Sequence, residues 1–335
     1  MESEGYIKRF MPLWEGWKLD KFLGSGSYGN VWQVVRESDE NETAAVKEII
    51  VPPSGAGTLE MACLQGLDVK SARLYFEDTL KETISEADMQ HSLSDCRNIV
   101  RFRDYQIKSL DRQNEFGWVF YILMDKVQAF TEYLMENGIT VSDLIKLGID
   151  LCYALERCRK AGIIHRDIKP ENIFYCPQEN CFQLGDFGIA HYCERPTASK
   201  GRPGTLTHMS PEVYGGAPFS YDDDLYAVGM VLYKLLNYNR IPLLPDYPQQ
   251  YMPAQRNEAL MCRLKGALLP LPALTRLKPE QISEVNHIRA GVCLNMNDIE
   301  RIKILGGIAQ KTISADKNQR YGSAEELRKS LEKLN

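Results

Sequence analysis

The chain lacks any apolar run near the roughly 18 residues needed to cross a bilayer, and it opens on acidic residues, Met1-Glu2-Ser3-Glu4-Gly5, with no apolar export segment behind them. No membrane span and no secretion are expected. It also lacks a basic block: 40 Lys and Arg stand against 45 Asp and Glu, a formal net charge of -5, which argues against nucleic acid as the main partner. Metal-site spacing is scarce too. Cys176 and Cys181 flank Pro177-Gln178-Glu179-Asn180, but no His or Cys pair stands near to complete a site, so the spacing reads as a β-hairpin turn. The nine cysteines, an odd number, read as reduced thiols of a cytoplasmic protein. No internal repeat is present. At 44% apolar and 25% charged the composition is that of a globular protein, and 335 residues exceed what one core usually serves, so about two units are expected.

What is present concentrates in His165-Arg166-Asp167-Ile168-Lys169-Pro170-Glu171-Asn172. These polar residues follow an amphipathic run in which Leu144, Gly148, Leu151, Leu155 and Cys158 recur at three- and four-residue steps, with Gly162 placed to end the helix. Solvation alone is a poor reason for such a crowd, and a loop that does chemistry is a better one. Asp186-Phe187-Gly188 begins fourteen residues after Asn172, across an apolar stretch that reads as a hairpin. Upstream, alternating residues 18–23 predict a strand, then Gly24-Ser25-Gly26-Ser27-Tyr28-Gly29, then a second strand from Asn30. A dinucleotide fingerprint would open a helix at that point. Glycines in a hairpin instead let backbone N–H groups close over phosphates. A third strand, residues 43–50, carries Lys47, which alone would be read as an edge lysine reaching water. A helix is predicted over residues 73–93, with Ile84, Met89 and Leu93 on its apolar positions, and two more strands near 99–108 and 117–124. Asp222-Asp223-Asp224 reads better as a helix N-terminus than as a metal cluster.

Taken together, the glycine hairpin, Lys47, the 165–172 loop and Asp186-Phe187-Gly188 resemble the catalytic domain of protein kinases, in particular the eukaryotic-like serine/threonine kinases of bacteria. The resemblance covers about residues 18–334 and implies an α+β, bilobal fold: a leader at 1–17, a β-rich N-lobe with one main helix at 18–125, and a larger helical C-lobe at 126–335. It implies catalytic roles for Asp167, Lys169, Asn172, Lys47 and Glu86, and metal binding by Asn172 and Asp186. The nucleotide would be held by Leu23, Gly24, Gly26, Gly29, Val31, Ala45, Lys47, Met124, Asp125, Val127 and Phe174, with backbone groups near Asp125 and Val127 meeting adenine. Arg166, Thr197, Ser199 and Thr205 would be regulatory, Arg166 awaiting a phosphate on Thr197 or Ser199. His165 would pack behind Asp186-Phe187-Gly188, Asp224 would hold the backbone of the catalytic loop, and Arg320 would pair with Glu212. Gln90 departs from the pattern, standing where the family packs an apolar side chain.

The implied cofactors are ATP and Mg²⁺, with Mn²⁺ as a substitute, and the implied reaction is phosphoryl transfer to Ser or Thr of protein substrates with autophosphorylation of the activation loop. Lys169 and Thr205 fit Ser/Thr rather than Tyr acceptors. The resemblance leaves room for a transient homodimer, and nucleic acid is not an expected partner. Two other readings are a pseudokinase scaffold without turnover and a kinase fold acting on a small molecule. Residues 241–298, broken by seven prolines, are the least legible part.

Overall fold

The run Ala44-Ala45-Val46 sends small apolar side chains to alternate faces, as a strand covered on both sides requires, and in the structure it lies in the middle of a five-stranded antiparallel sheet. The structure, a computed structural model, describes residues 5–26, 29–51, 66, 68–110, 117–187, 191–192, 205–288 and 291–335. The chain divides into two units, Met1–Asp95 with Val100–Lys126, and Cys96–Ile99 with Val127–Asn335.

In the first unit a short helix, α1 (Ile7–Phe10), precedes β1 (Trp17–Gly26), β2 (Gly29–Arg36) and β3 (Asp39–Val51). Then come α2 (Val69–His91), β4 (Phe102–Ser109) and β5 (Trp118–Asp125), and the sheet order is β1-β2-β3-β5-β4. One face presents Trp32, Val34, Ala44, Val46 and Tyr121, and the leader covers it with Ile7, Leu13 and Trp17. Trp14 Nε1 donates to Asp104 Oδ2 at 2.8 Å and the Gln106 amide donates to the Leu13 carbonyl, so the leader is tied to β4 as well as packed. The opposite face, with Phe102, Phe120, Ile122 and Ile49, receives Leu80, Ile84 and Ala87 of α2. This helix starts before residue 73 because Asp68 caps it, accepting from the Lys70 and Ser71 N–H groups at 2.9 Å.

The second unit begins with β6 (Gln128–Ala129), α3 (Phe130–Asn137), β7 (Ile139–Thr140), α4 (Val141–Lys160) and β8 (Ile163–Ile164). The hairpin β9 (Ile173–Cys176) and β10 (Cys181–Leu184) follows, pairing Cys176 with Cys181 at its turn end as the turn reading predicts. Further on are β11 (His191–Tyr192), α5 (Pro211–Tyr214) and α6 (Tyr221–Leu235). The proline-broken stretch then holds α7 (Pro253–Leu264), two 3₁₀ turns at Ala273–Arg276 and Pro279–Gln281, α8 (Ile282–Asn286) and β12 (Val292–Cys293). β12 pairs in parallel with β7, an arrangement with no local signal in the sequence. Last come α9 (Asp298–Thr312) and α10 (Ala324–Glu332).

The expected stripe of α4 is buried, and the helix is followed by Gly162 at φ 74°. α6 crosses α9 closely at Gly229, where a Cβ would lie 2.6 Å from Thr312 Cγ2. Overpacking is the predicted result of filling that gap: Gly229→Val should lower stability by about 1–3 kcal/mol, read as a shift in urea midpoint at unchanged slope.

Candidate active site

The catalytic loop leaves β8 by a sharp turn. Arg166 has φ 71° and Asp186 φ 56°, left-handed backbone that costs a non-glycine residue about 1–2 kcal/mol and persists only where the surroundings enforce it. For Arg166 the enforcing group is Asp224. Its Oδ2 accepts the His165 N–H at 2.7 Å and its Oδ1 accepts the Arg166 N–H at 2.8 Å. Asp224 is in the first turn of α6, whose start is fixed by Asp223 Oδ2, which accepts from the Ser220 N–H at 2.7 Å and the Ser220 hydroxyl at 2.8 Å. Burial pushes the Asp224 carboxyl up to about 7, while the two N–H donors pull it back.

Asp167 is the hub of the loop. Its Oδ2 accepts from Lys169 Nζ at 2.6 Å and from Asn172 Nδ2 at 3.1 Å, and its Oδ1 accepts from the Thr205 hydroxyl at 2.8 Å. Lys169 Nζ also donates to Thr205 Oγ1 at 3.3 Å. Asn172 Nδ2 donates a second time, to the Asp167 carbonyl at 2.8 Å, which turns the Asn172 side-chain oxygen away from Asp167. Three residues from two distant stretches are thereby assembled around the buried carboxylate of Asp167.

The Asp186 strand end is fastened to the same loop. Gly185 N–H donates to the Asn172 carbonyl at 2.9 Å, and His165 Nε2 lies 3.1 Å from the Gly185 carbonyl. Because His165 Nδ1 accepts from the Asp167 N–H at 3.3 Å, the ring proton belongs on Nε2, which donates to Gly185. The ring is fully buried, and that burial holds its pKa below the usual value. It stands edge-on to Phe187 at 4.7 Å between centroids, the packing expected of it. β10 is placed by Asn98 and Asp150, which sequence reasoning missed: Asp150 accepts the Phe182 N–H at 2.9 Å, and Asn98 donates to the Phe182 carbonyl at 3.1 Å. Both are polar residues in apolar surroundings, a signal visible only once their strand partner is known.

Downstream of Thr205 the chain is anchored at several points. Ser210 Oγ donates to Asp223 and caps α5. Arg320 donates to Glu212 at 2.7 Å, as expected, and that guanidinium lies over the Tyr226 ring. His208 is buried, bonded through Nδ1 to Thr207, and burial, followed by the nearby cations, depresses its pKa well below 6.5. The unfolded chain takes up a proton here as the pH falls through 6.5 and the folded chain does not. Stability from this site is complete above 6.5 and is lost below it, by about 1 kcal/mol between pH 6.5 and 5.5. His208→Leu should remove that share of the acid-side loss. Thermal midpoints from pH 7.5 to 5.0 should fall less steeply in the variant.

In the first unit the sheet register lines up the nucleotide candidates. Gly24 pairs with Val31, Val31 with Lys47, and Ala45 with Met124. Lys47 alternates with Val46 and so shares the face of Ile49, the face that α2, bearing Glu86, covers. Gly26 pairs with Gly29 at the hairpin tip, and Gly29, at φ 130°, has no room for a Cβ, which would lie 2.0 Å from the Glu48 carbonyl. Leu23 is exposed on β1. The Asp125 N–H is taken by the Arg101 carbonyl at 3.0 Å, which narrows any adenine contact at that residue to its carbonyl. Gln90, the departure from the pattern, is buried and donates to the Val100 carbonyl at 3.4 Å, so its amide is accommodated inside this unit. In the second unit Val127 and Phe174 are half-buried, Phe174 on β9. Gly188, Thr197 and Ser199 lie outside the described residues.

Residues 17–328 match the protein kinase domain family. The chain belongs to that family. Among similar proteins are serine/threonine-protein kinase A of Synechocystis, 27% identical over 244 residues (69% of this chain, 42% of the relative), and serine/threonine-protein kinase Nek9 of Xenopus laevis, 29% identical over 227 residues (66% of this chain, 21% of the relative). A probable serine/threonine-protein kinase of Lactococcus lactis is 24% identical over 269 residues, 79% of this chain and 36% of the relative. The chain thus spans less than half the length of each. The sheet-rich first unit and helical second unit are the mixed α+β architecture of this kinase domain. ATP-dependent phosphoryl transfer to protein substrates, with a divalent cation, is the chemistry of such domains, and nothing in the comparisons favours a scaffold without turnover.

The site residues suit those groups. Asp186 and Asn172 carry hard oxygen donors that would suit a divalent cation, and among the described residues no group of three or more His, Cys, Asp or Glu forms a metal cage. Held by those two residues, a cation would take its other ligands from water and phosphate oxygens and would supply positive charge to the phosphates. Among the described residues no helix is long and apolar enough to cross a membrane.

Proposed function

We propose that the chain transfers the γ-phosphate of ATP to Ser and Thr hydroxyls of protein substrates, with Asp167 orienting the acceptor hydroxyl and taking its proton. One observation carries this reading: a buried carboxylate bound on one oxygen by Lys169 and on the other by the hydroxyl of a threonine. Thr205 Oγ1 lies 2.8 Å from Asp167 and 3.3 Å from the Lys169 ammonium, so a hydroxyl already shares the two groups an acceptor would use. Lys169 steadies the γ-phosphate, Asn172 and Asp186 hold Mg²⁺ or Mn²⁺, and Lys47, with Glu86 as its partner, holds the α- and β-phosphates. Gly24, Gly26 and Gly29 supply backbone N–H groups. Leu23, Val31, Ala45, Met124, Val127 and Phe174 supply apolar surface to the base, and Asp125 its carbonyl. The bound cation would neutralise charge on the phosphates. The protein contributes position and a proton acceptor.

The division at 17/18 and 125/126 into leader, N-lobe and C-lobe, and a cytoplasmic site of action, belong to the same proposal; free, buried Cys152 and Cys158 suit a reducing compartment. Phosphorylation of Thr197 and Ser199 would place an anion on the activation segment for Arg166 to bind, and transfer from one copy to another would go with transient pairing of two copies. Incubation with ATP and Mg²⁺ followed by phosphoamino-acid analysis and peptide mapping tests both levels. Label on Ser and Thr, including the peptide with Thr197 and Ser199, is expected. Label on Tyr alone would overturn the acceptor class, and an unlabelled 197–199 peptide would remove the regulatory part.

A further inference from the structure

Arg263 occupies the core-facing stripe of α7 beside Ala259, Leu260 and Leu264, with 1% of its surface exposed. A guanidinium so placed has lost its hydration and must find acceptors inside the protein. Those it finds are unusual for a buried cation. Nη1 donates to the Met209 carbonyl and to the Tyr226 hydroxyl, both at 2.8 Å, and Nη2 donates to the Leu206 carbonyl at 2.6 Å. None of these acceptors is a carboxylate. One carboxylate would satisfy the charge through a single side chain, whereas two carbonyls of one short segment fix the path of its backbone.

The segment in question is the turn over residues 205–209, in which the His208 and Met209 N–H groups donate to the Thr205 carbonyl at 2.9 and 3.1 Å. Thr205 is the residue whose hydroxyl meets Asp167 and Lys169. We infer that Arg263 is a positioning residue for phosphoryl transfer, clamping the Leu206 and Met209 carbonyls so that Thr205 stays seated on Asp167 and Lys169. The clamp is itself held. Tyr226 accepts from Arg263, and its ring lies 4.7 Å from Arg320 Cζ, while Arg320 bonds Glu212. Leu206, Met209 and Glu212 are therefore fastened through one aromatic ring, from which the segment receives a fixed course past the catalytic carboxylate. The kinetic consequence rests on the proposed kinase activity; the structural one does not.

Two variants and two measurements test it on the full chain. Arg263→Met keeps the apolar stem and removes the donors, and Arg263→Lys keeps the charge on a single head that cannot span both carbonyls. Should the methionine variant fail to fold, the lysine variant carries both measurements. First, hydrogen exchange of the His208 and Met209 amides should quicken by about tenfold or more, with exchange in α4 unchanged. Unchanged exchange in residues 205–209 overturns the clamp whether or not the protein is a kinase. Second, transfer from ATP to an acceptor protein is measured in a cycle with Thr205→Ala. Loss of Arg263 should lower kcat/KM for the acceptor about tenfold in the wild-type background and less than about twofold in the Thr205→Ala background, since the residue acts through Thr205. Equal losses in both backgrounds, or a loss that only tracks the folded fraction, overturn the inference. If wild type transfers nothing, the kinase activity fails, and exchange alone decides the clamp.

Discussion

Asp167→Asn is expected to lower kcat for phosphoryl transfer by roughly a hundred- to ten-thousandfold while leaving the chain folded, a loss of about 3–5 kcal/mol of transition-state stabilisation. The hydrogen bonds explain both halves of that result. Oδ2 faces two donors, Lys169 Nζ and Asn172 Nδ2, so an asparagine must keep its oxygen there and turn its amide towards Thr205. The Thr205 hydroxyl can rotate to accept instead of donate, so the network survives with one bond reversed. What does not survive is a carboxylate able to take a proton. The Lys169 ion pair goes as well, and its share of stability is modest because Lys169 remains partly exposed. Steady-state kinetics at matched folded fraction, with thermal midpoints alongside, would check both parts.

Asp224→Asn should be the second most damaging change, and it should act on position instead of chemistry. Each oxygen of Asp224 accepts one backbone N–H, from His165 and from Arg166. An asparagine has one oxygen, so its amide must confront one of those donors. A buried N–H left without an acceptor costs about 1–3 kcal/mol. Whichever donor loses its acceptor, the clamp that holds the left-handed backbone of Arg166 is weakened, and Asp167, the next residue, would shift with it. A displacement near 1 Å can cost about a hundredfold in rate, so transfer should fall by roughly ten- to a hundredfold with a lowered unfolding midpoint. Unlike Asp167→Asn, this variant should show both losses together, and urea denaturation beside initial rates would separate the two cases. An unchanged unfolding midpoint would show that Asp224 is not what holds the loop.

How much of this was legible follows from what each residue depends on. The 165–172 loop stood out because its residue types are hard to explain as solvated surface or as core, Asp186-Phe187 and Lys47 only through their spacing from that loop and from the glycine hairpin, and the stripe of α4 because its period is regular. Asp224 and the Arg320–Glu212 pair came through family resemblance, and the structure supplies the bonds that give them work. The rest depended on partners far away in sequence. The helix boundary at Asp68 is set by a cap outside the apolar period. The leader carries no regular apolar period, because its contacts are made residue by residue with a sheet face. Gln90 looked out of place until the Val100 carbonyl was beside it. In the proline-broken region α7 places Arg263 on its apolar stripe, where a charge reads as a break in the pattern and not as a clamp on residues more than fifty positions earlier.

The most direct test of the account is transfer of labelled γ-phosphate from ATP, with Mg²⁺, to a generic basic acceptor protein, run side by side for wild type and Asp167→Asn. The account predicts label on Ser and Thr of the acceptor with wild type and at least about a hundredfold less with the variant. Equal label from the two proteins, or none from either when both are folded, would contradict it.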